Sequence, residues 1–214
     1  MLLHGFWQQF SEKALATPST PDLFNQYRDE DPGYDCPGAA RQRRENLRNY
    51  LAAFEVPPPV FILAEAPGPW GCRFSGIPVT SEAQLVSADI PVHGQKTSVK
   101  SKPHTEYTAR IFWRELRSAF PKFLVWNAVP LHPHYEGHPM SIRTPRKREV
   151  RAFTPLLAGL LQVLQPETVL AMGRTAEGAF EYAGWHSEYV RHPSQGGANI
   201  FAESVRRVMY RYLM

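Results

Sequence analysis

Four short apolar runs recur along the chain, and each ends in polar or turn-forming residues. They are Val60 to Leu63, Phe123 to Trp126, Thr168 to Met172 and Glu188 to Val190. Short apolar runs of this kind are typical of strands that are buried on both faces of a parallel sheet. The pattern therefore predicts four parallel strands.

Helical periodicity fills the segments before and between these runs. The predicted helices are Arg41 to Phe54, Thr105 to Phe120, Lys147 to Leu164, Thr175 to Tyr182 and Ile200 to Leu213. In the last of them, Phe201, Val205, Val208, Met209 and Tyr212 follow the spacing of one buried helix face. Strands that alternate with helices predict an α/β fold, a three-layer α/β/α sandwich with a central four-stranded parallel sheet.

The length of the chain bounds its organisation. With 214 residues, of which 43% are hydrophobic, one substantial core is expected, and hence a single domain over residues 1–214. Residues 1–55 are interpreted as N-terminal helical elements packed on that domain. The stretch from Thr80 to Pro103 is polar and rich in turn formers, so it is predicted to be a long excursion over the surface.

Charge and cysteine content narrow the class of protein only slightly. A net charge of +4 is compatible with a polyanionic partner and with many other functions. Two cysteines are too few for a four-cysteine cluster and suit a reducing compartment. Without an apolar run of about 20 residues or a basic leader, a soluble, cytoplasmic monomer without membrane contact is expected.

Three apolar runs break into turns that carry functional groups. Glu65, Asn127 and His192 stand at these breaks, within FILAEAPGPWGCRFSGIP, VWNAVPL and VRHPSQGGAN. A parallel sheet presents its ligand-binding groups where its strands end. We therefore expect an acid, an amide and an imidazole to converge on one crevice.

These motifs resemble the uracil-DNA glycosylase superfamily, from about Phe61 to the C-terminus. In its single-strand-selective monofunctional branch the first motif reads NPGPFG and then TGVP, and here Ala66 to Gly71 reads APGPWG and Ser75 to Pro78 reads SGIP. That branch also has an Arg-Phe-Trp element, an NLCPL motif and a closing HPS. Their counterparts here are Arg110, Phe112 and Trp113, then Asn127 to Leu131, then His192 to Ser194.

The sequence departs from that branch at two positions of the expected base pocket. Glu65 and Ala66 match the EAPG motif of the thermophilic iron-sulfur branch, but Cys36 and Cys72 cannot supply the four ligands of its cluster. Val79 stands where family members usually have a Phe that stacks on the base, so stacking is expected either to come from Phe74 or Trp70 or to be weaker. The substrate-binding residues that the resemblance implies are Ala66, Pro67, Gly68, Trp70, Phe74 and Val79.

The resemblance implies a role for each residue at the strand ends. His192 would donate to the departing base, Glu65 would hold a water near the anomeric carbon, and Asn127 would read the edge of uracil. Each has a simpler alternative: His192 as a turn residue, Asn127 as a turn cap, and Glu65 as the partner of an arginine.

Two segments are predicted to contact DNA. Arg143, Arg146, Lys147 and Arg148 crowd the start of a predicted helix, where the helix dipole disfavours cations, unless Glu149 neutralises a solvated face. Ser194, Gln195, Gly196 and Gly197 form a loop next to the vacated base, or a plain helix entry. The histidines of HPHYEGH lack helical metal-ligand spacing, so neither a metal nor another cofactor is expected.

The resemblance implies a monofunctional DNA glycosylase that flips uracil out of DNA and hydrolyses its glycosidic bond to begin base excision repair. Gly68 is expected to leave room beside C5 of the base, which would admit 5-substituted uracils. Two alternatives stay open: a glycosylase for deaminated purines such as hypoxanthine or xanthine, and a catalytically weak nucleic-acid-binding protein of the same fold.

Overall fold

The computed structural model describes residues 2–87 and 89–213. Its helices and strands follow one another along the chain as α1 (Leu2–Phe10), a π-helical turn (Ser11–Leu15), β1 (Leu23–Phe24), α2 (Ala39–Ala52), β2 (Val60–Ala64), α3 (Cys72–Ser75), α4 (Glu82–Val86), α5 (Tyr107–Leu116), a 3-10 turn (Arg117–Ala119), β3 (Phe123–Asn127), β4 (His132–Pro133), α6 (Lys147–Leu164), β5 (Thr168–Met172), α7 (Arg174–Tyr182), β6 (Glu188–Val190) and α8 (Ala198–Leu213).

The central sheet has four parallel strands in the order β3-β2-β5-β6. Its register pairs Ala64 with Asn127, Leu63 with Ala171, and Met172 with Val190, so the carboxyl ends of all four strands share one edge. The chain passes from β2 to one side and later returns to its other side. Open α/β sheets bind ligands at such a switch point, which here lies at the end of β2.

Helices cover both faces of this sheet. Helices α1, α6 and α7 pack together on one face, where Phe6 of α1 meets Trp126 of β3 edge to face at 4.9 Å between ring centroids. Helices α5 and α8 cover the other face through Phe112, which packs against Phe123 and Phe201. The predicted three-layer α/β/α sandwich is confirmed.

Helix α2 covers the free edge of β3. The backbone N–H of Val125 donates to the Tyr50 hydroxyl at 2.8 Å, which satisfies a polar group that an edge strand would otherwise expose. Strands β1 and β4 form a separate two-stranded antiparallel sheet that was not predicted, because two-residue strands carry no periodicity. The N-terminal segment thus adds helices and a short strand around the sheet.

A buried ionic cluster joins this N-terminal segment to the first motif. The carboxylate of Asp35 accepts hydrogen bonds from both Arg43 of α2 and Arg73 of α3, and all three side chains are buried. The Arg73 guanidinium also lies over the rings of Phe24 and Phe74, at 4.6 and 4.2 Å from their centroids. Residues that precede the central sheet in the chain therefore hold helix α3 in place.

The prediction that residues 80–103 run over the surface is wrong for much of the segment. Glu82 is buried, and its carboxylate accepts hydrogen bonds from the backbone N–H groups of Thr97, Ser98 and His104 and from the Ser98 hydroxyl, at 2.7 to 3.1 Å. A polar segment can enter the interior when one carboxylate satisfies its donors. Polarity alone was a misleading sign of exposure.

None of the helices between residues 2–87 and 89–213 combines the length and the apolar character needed to cross a lipid bilayer.

Candidate active site

A cleft of about 390 Å³ opens at the carboxyl edge of the sheet. The residues that follow β2, β5 and β6 form its floor, and the 142–144 segment and the start of α5 form its walls. Its lining includes Glu65, Ala66, Gly68, Val79, Glu106, Arg143, Tyr189, His192, Ser194 and Gln195. The cleft coincides with the switch point of the sheet.

Glu65 directly follows β2. Backbone hydrogen bonds from Ala128 to Ala64 (2.8 Å) and from Val129 to Glu65 (3.1 Å) hold the ends of β2 and β3 together past the strands themselves. The Thr175 hydroxyl, in the first turn of α7, donates to Glu65 Oε2 at 2.7 Å. Burial raises the pKa of Glu65, and the Thr175 hydrogen bond opposes that rise.

His192 lies two residues beyond β6 and lines the same cleft as Glu65. The backbone N–H of Ser194 donates to His192 Nδ1 at 3.2 Å, and the Ser194 hydroxyl lies 2.8 Å from the same nitrogen. Burial, with a contribution from Arg191, lowers the pKa of His192. Because Nδ1 accepts, the neutral ring carries its proton on Nε2 and can donate from there.

The turn beneath His192 depends on Gly173. This residue is the N-cap of α7 with φ +95°, in the region that favours glycine, and its N–H donates to the Val190 carbonyl oxygen at 3.0 Å. That bond joins the ends of β5 and β6 and fixes the start of the His192 segment.

Asn127 ends β3 as predicted, but its side chain is not part of the cleft lining. It is buried, and its Nδ2 donates to Cys72 Sγ at 3.7 Å. The structure therefore brings Glu65 and His192 together and leaves Asn127 beside the thiol. A direct role for Asn127 in reading the base stays a prediction.

Three of the six predicted substrate-binding residues belong to the described cleft lining, and the other three do not. Ala66, Gly68 and Val79 line the cleft, and Val79 has φ +50°, an unusual conformation for a β-branched residue. Pro67 is buried and its carbonyl oxygen lies 2.7 Å from His132 Nδ1.

Trp70 and Phe74 are not part of the described cleft lining. Phe74 is fully buried and stacks on the His104 ring at 4.2 Å, while Trp70 is 41% exposed and lines a separate groove along α5. Stacking of either side chain on the base stays a prediction. Tyr189 brings a phenol ring to the described cleft lining, and the Arg174 guanidinium lies over that ring, 4.4 Å from its centroid.

The basic cluster at the start of α6 is partly structural. Arg143 is buried and donates to both oxygens of Glu149 at 2.7 and 2.8 Å, and Arg146 pairs with Asp22 at 2.5 Å and with Glu149 at 3.2 Å. The Arg146 hydrogen bond lowers the pKa of Asp22 against the effect of burial. These carboxylates compensate the cations that were expected to need an external anion.

Two cations of the same cluster remain free to bind an external anion. Lys147 and Arg148 are exposed, and neither forms an ion pair with any residue that the structure describes. Contact of this cluster with DNA phosphate stays a prediction, and these two cations are the ones without a described ion pair.

The loop from Ser194 to Gly197 is a tight turn beside the cleft. Gln195 and Gly196 have φ of +52° and +77°, and the Gly197 N–H donates to the Ser194 carbonyl oxygen at 3.0 Å. A Cβ on Gly197 would lie 2.0 Å from the His192 carbonyl oxygen, so only glycine fits there. Gln195 is exposed and lines the cleft.

Sequence reasoning missed Glu106, Thr175 and Tyr189. Glu106 is the N-cap residue of α5, and its carboxyl lies against the first motif: a Cβ on Gly68 would be 2.0 Å from Oε1 and one on Gly71 would be 2.2 Å from Oε2. The room expected beside Gly68 is thus already filled. Thr175 follows β5 and Tyr189 lies in β6, so the strand-end rule could have found both of them. Glu106 gives no such signal, because tertiary packing alone brings the start of α5 to the cleft.

Comparisons with known proteins agree with this geometry. The profile of the uracil DNA glycosylase superfamily matches residues 52–205, which include Glu65, Glu106, Asn127 and His192. No curated protein matches the sequence significantly.

A solved structure described as wild-type SMUG2 of Pedobacter heparinus superimposes with a TM-score of 0.65 at 13% identity, over 99% of this chain and 97% of that one. At that identity the likeness concerns the fold. Because the superfamily profile spans most of the chain and both halves of the cleft, the protein belongs to the uracil DNA glycosylase superfamily, and its activity is of the DNA glycosylase type.

Proposed function

We propose that the protein is a monofunctional DNA glycosylase that removes uracil from DNA after extruding the base into the cleft. One observation carries the proposal: Glu65 and His192, from two different strand ends, line the same cleft at the switch point of the sheet. A base inside duplex DNA is out of reach of side chains, so it must be flipped out or taken from a single strand.

His192 and Glu65 each stabilise one of the two charges that develop when the glycosidic bond breaks. Negative charge grows on the base, to which the Nε2–H of His192 donates a hydrogen bond. The ring is already neutral, so it does not have to lose a proton first. Cationic character grows on the sugar, where the carboxylate of Glu65 stabilises it and orients the attacking water. The ionised form of Glu65 is the active one, and the Thr175 hydrogen bond favours that form.

Water is the nucleophile in this proposal. The described lining of the cleft contains no lysine that could form a Schiff base with the sugar. The product is then an intact strand with an abasic site.

The test is single-turnover release of base from labelled oligonucleotides that carry uracil, hypoxanthine, xanthine or 5-hydroxymethyluracil, followed by alkali. His192→Ala should lower the rate by about 100-fold or more, the usual loss when a donor to a developing charge is removed. His186→Ala, an exposed histidine, is the matched control. DNA binding without release of any base would favour the non-catalytic alternative.

Deaminated purines are the second candidate substrates. Val79 lines the cleft with a smaller side chain than the Phe that family members usually carry, which leaves width for a two-ring base. Faster release of hypoxanthine or xanthine than of uracil in the same panel would establish this second function.

A further inference from the structure

Glu106 is an acid in the cleft wall without a partner. Its side chain makes no capping hydrogen bond to α5, and neither oxygen has a hydrogen bond or ion pair with any residue in the described ranges. Glu106 is half-buried and lines the cleft, so its carboxyl is partly withdrawn from water yet stays open to a ligand in the cleft. An acid that is both unpaired and aimed at a cleft has the arrangement of a ligand-binding group.

The surroundings of Glu106 shield part of the carboxyl from water. Its oxygens fill the space above Gly68 and Gly71, where the absence of a Cβ lets them approach the motif backbone. Burial raises the pKa of Glu106 to about 7, and burial raises that of the neighbouring Cys72 thiol to about 12, so the thiol stays neutral.

Charged groups surround the residue on both sides without reaching ion-pair distance. Within the cleft, Arg143 is already bound to Glu149 and Arg174 to Glu177. The remaining ionisable residues of the cleft and of the adjoining α5 groove are Glu65, Arg191, His192, Tyr189, Asp89, Tyr107, Arg110, Arg114 and Arg117. The carboxyl therefore has no fixed counter-ion that would hold it ionised.

We infer that Glu106 binds the extruded base directly, as a neutral acid that donates its O–H to a base carbonyl and accepts from the adjacent ring N–H. The ligand class is a base with an –NH–C(=O)– edge, which uracil, hypoxanthine and xanthine share. A protonated carboxyl offers one donor and one acceptor side by side, which matches that edge. The inference rests on the proposed function.

Ionisation of Glu106 would oppose binding. A carboxylate has no hydrogen to donate, and it places negative charge against the carbonyl oxygen of the base. Glu106 thus gives an activity that falls as pH rises through about 7, whereas ionisation of Glu65 gives an activity that rises with pH.

The test compares wild-type protein with Glu106→Gln and Glu106→Leu in single-turnover assays between about pH 5 and 9. Gln mimics the neutral acid at every pH, so its rate should stay high where the wild-type rate falls. Leu removes both hydrogen bonds and should lower the rate by about 10-fold or more at pH 6. The control is Glu167→Gln, an exposed residue just before β5, at the opposite end of the sheet.

Each other outcome is decisive. An unchanged alkaline decline in Glu106→Gln, or a wild-type rate in Glu106→Leu, would overturn the inference, as would a Glu106→Gln protein that folds and is inactive at every pH. If Glu106→Leu does not fold, the isosteric Glu106→Gln still decides. A wild-type protein that releases no base from any oligonucleotide would instead refute the proposed function, and with it the inference about Glu106.

Discussion

At the scale of single residues, the cleft contains two carboxyl groups in different surroundings. Burial raises the pKa of both Glu65 and Glu106, but Thr175 donates a hydrogen bond only to Glu65. Two acids whose environments separate their pKa values can take different roles at one pH. In our proposals, ionised Glu65 stabilises the positive charge on the sugar and neutral Glu106 binds the base.

This difference predicts the effect of removing the Thr175 hydroxyl. Thr175→Val takes away the donor that favours the carboxylate, so the pKa of Glu65 should rise and the acid limb of the pH–rate profile should move to higher pH. Thr175→Ser keeps the donor and should leave the limb in place. An unmoved limb in Thr175→Val would mean that another group titrates there.

Glu65→Gln should lower the single-turnover rate by about 100-fold.

The sequence revealed some of these residues and hid others for a physical reason. Glu65 and His192 could be found because parallel strands bring their carboxyl ends together whatever the details of packing. Asn127 obeys the same rule, yet its side chain turns to Cys72, and periodicity does not report side-chain direction at a strand end. Glu106 reaches Gly68 from the start of a helix, through packing that no local pattern encodes.

At the scale of elements, the predicted strands and the helix Lys147–Leu164 were found close to their predicted bounds because their apolar spacing is strong. Other elements escaped prediction where a few specific contacts outweigh composition. The segment after α4 is the clearest example, since Glu82 collects the backbone donors of a polar stretch into the interior.

Glu82→Ala should therefore destabilise the fold. It leaves three buried N–H groups without an acceptor, for a loss of about 3 kcal/mol in the free energy of unfolding, measured by urea denaturation. Glu55→Ala, an exposed residue, is the control. An equal loss in both variants would contradict the role given to Glu82.

The same carboxylate should make stability depend on pH. Burial tends to raise the pKa of Glu82, but its hydrogen bonds outweigh burial and lower it. A group with a lowered folded pKa contributes stability above its unfolded pKa of about 4.5 and loses it as pH falls further. The Glu82→Ala penalty should shrink below that pH.

At the scale of the whole molecule, charge is distributed unevenly around the cleft. Arg143 and Arg146 are held by Glu149 and Asp22, whereas Lys147 and Arg148 at the start of α6 are exposed and free of described ion pairs. Only cations that can exchange solvent ions for phosphate contribute to salt-dependent binding.

Lys147→Ala combined with Arg148→Ala should weaken binding equally for uracil-containing and undamaged DNA, because phosphate contacts carry no sequence information. The slope of log affinity against log salt should flatten by about 0.9 for each lost contact. The double variant Lys13→Ala, Lys122→Ala removes the same charge from other exposed positions and is the control. Equal slopes in the two double variants would place this surface away from DNA.

The shared carboxylate of Asp35 sets a limit on how the protein can be divided. The superfamily profile begins at residue 52, yet Arg73 inside it relies on Asp35 outside it for its buried counter-ion. Removing one partner of a buried pair costs about 3 to 5 kcal/mol, a large share of the 5 to 15 kcal/mol that keeps an ordinary domain folded. A fragment that begins at residue 52 would therefore leave Arg73 buried without its counter-ion, so residues before the matched stretch contribute to the stability of the residues within it.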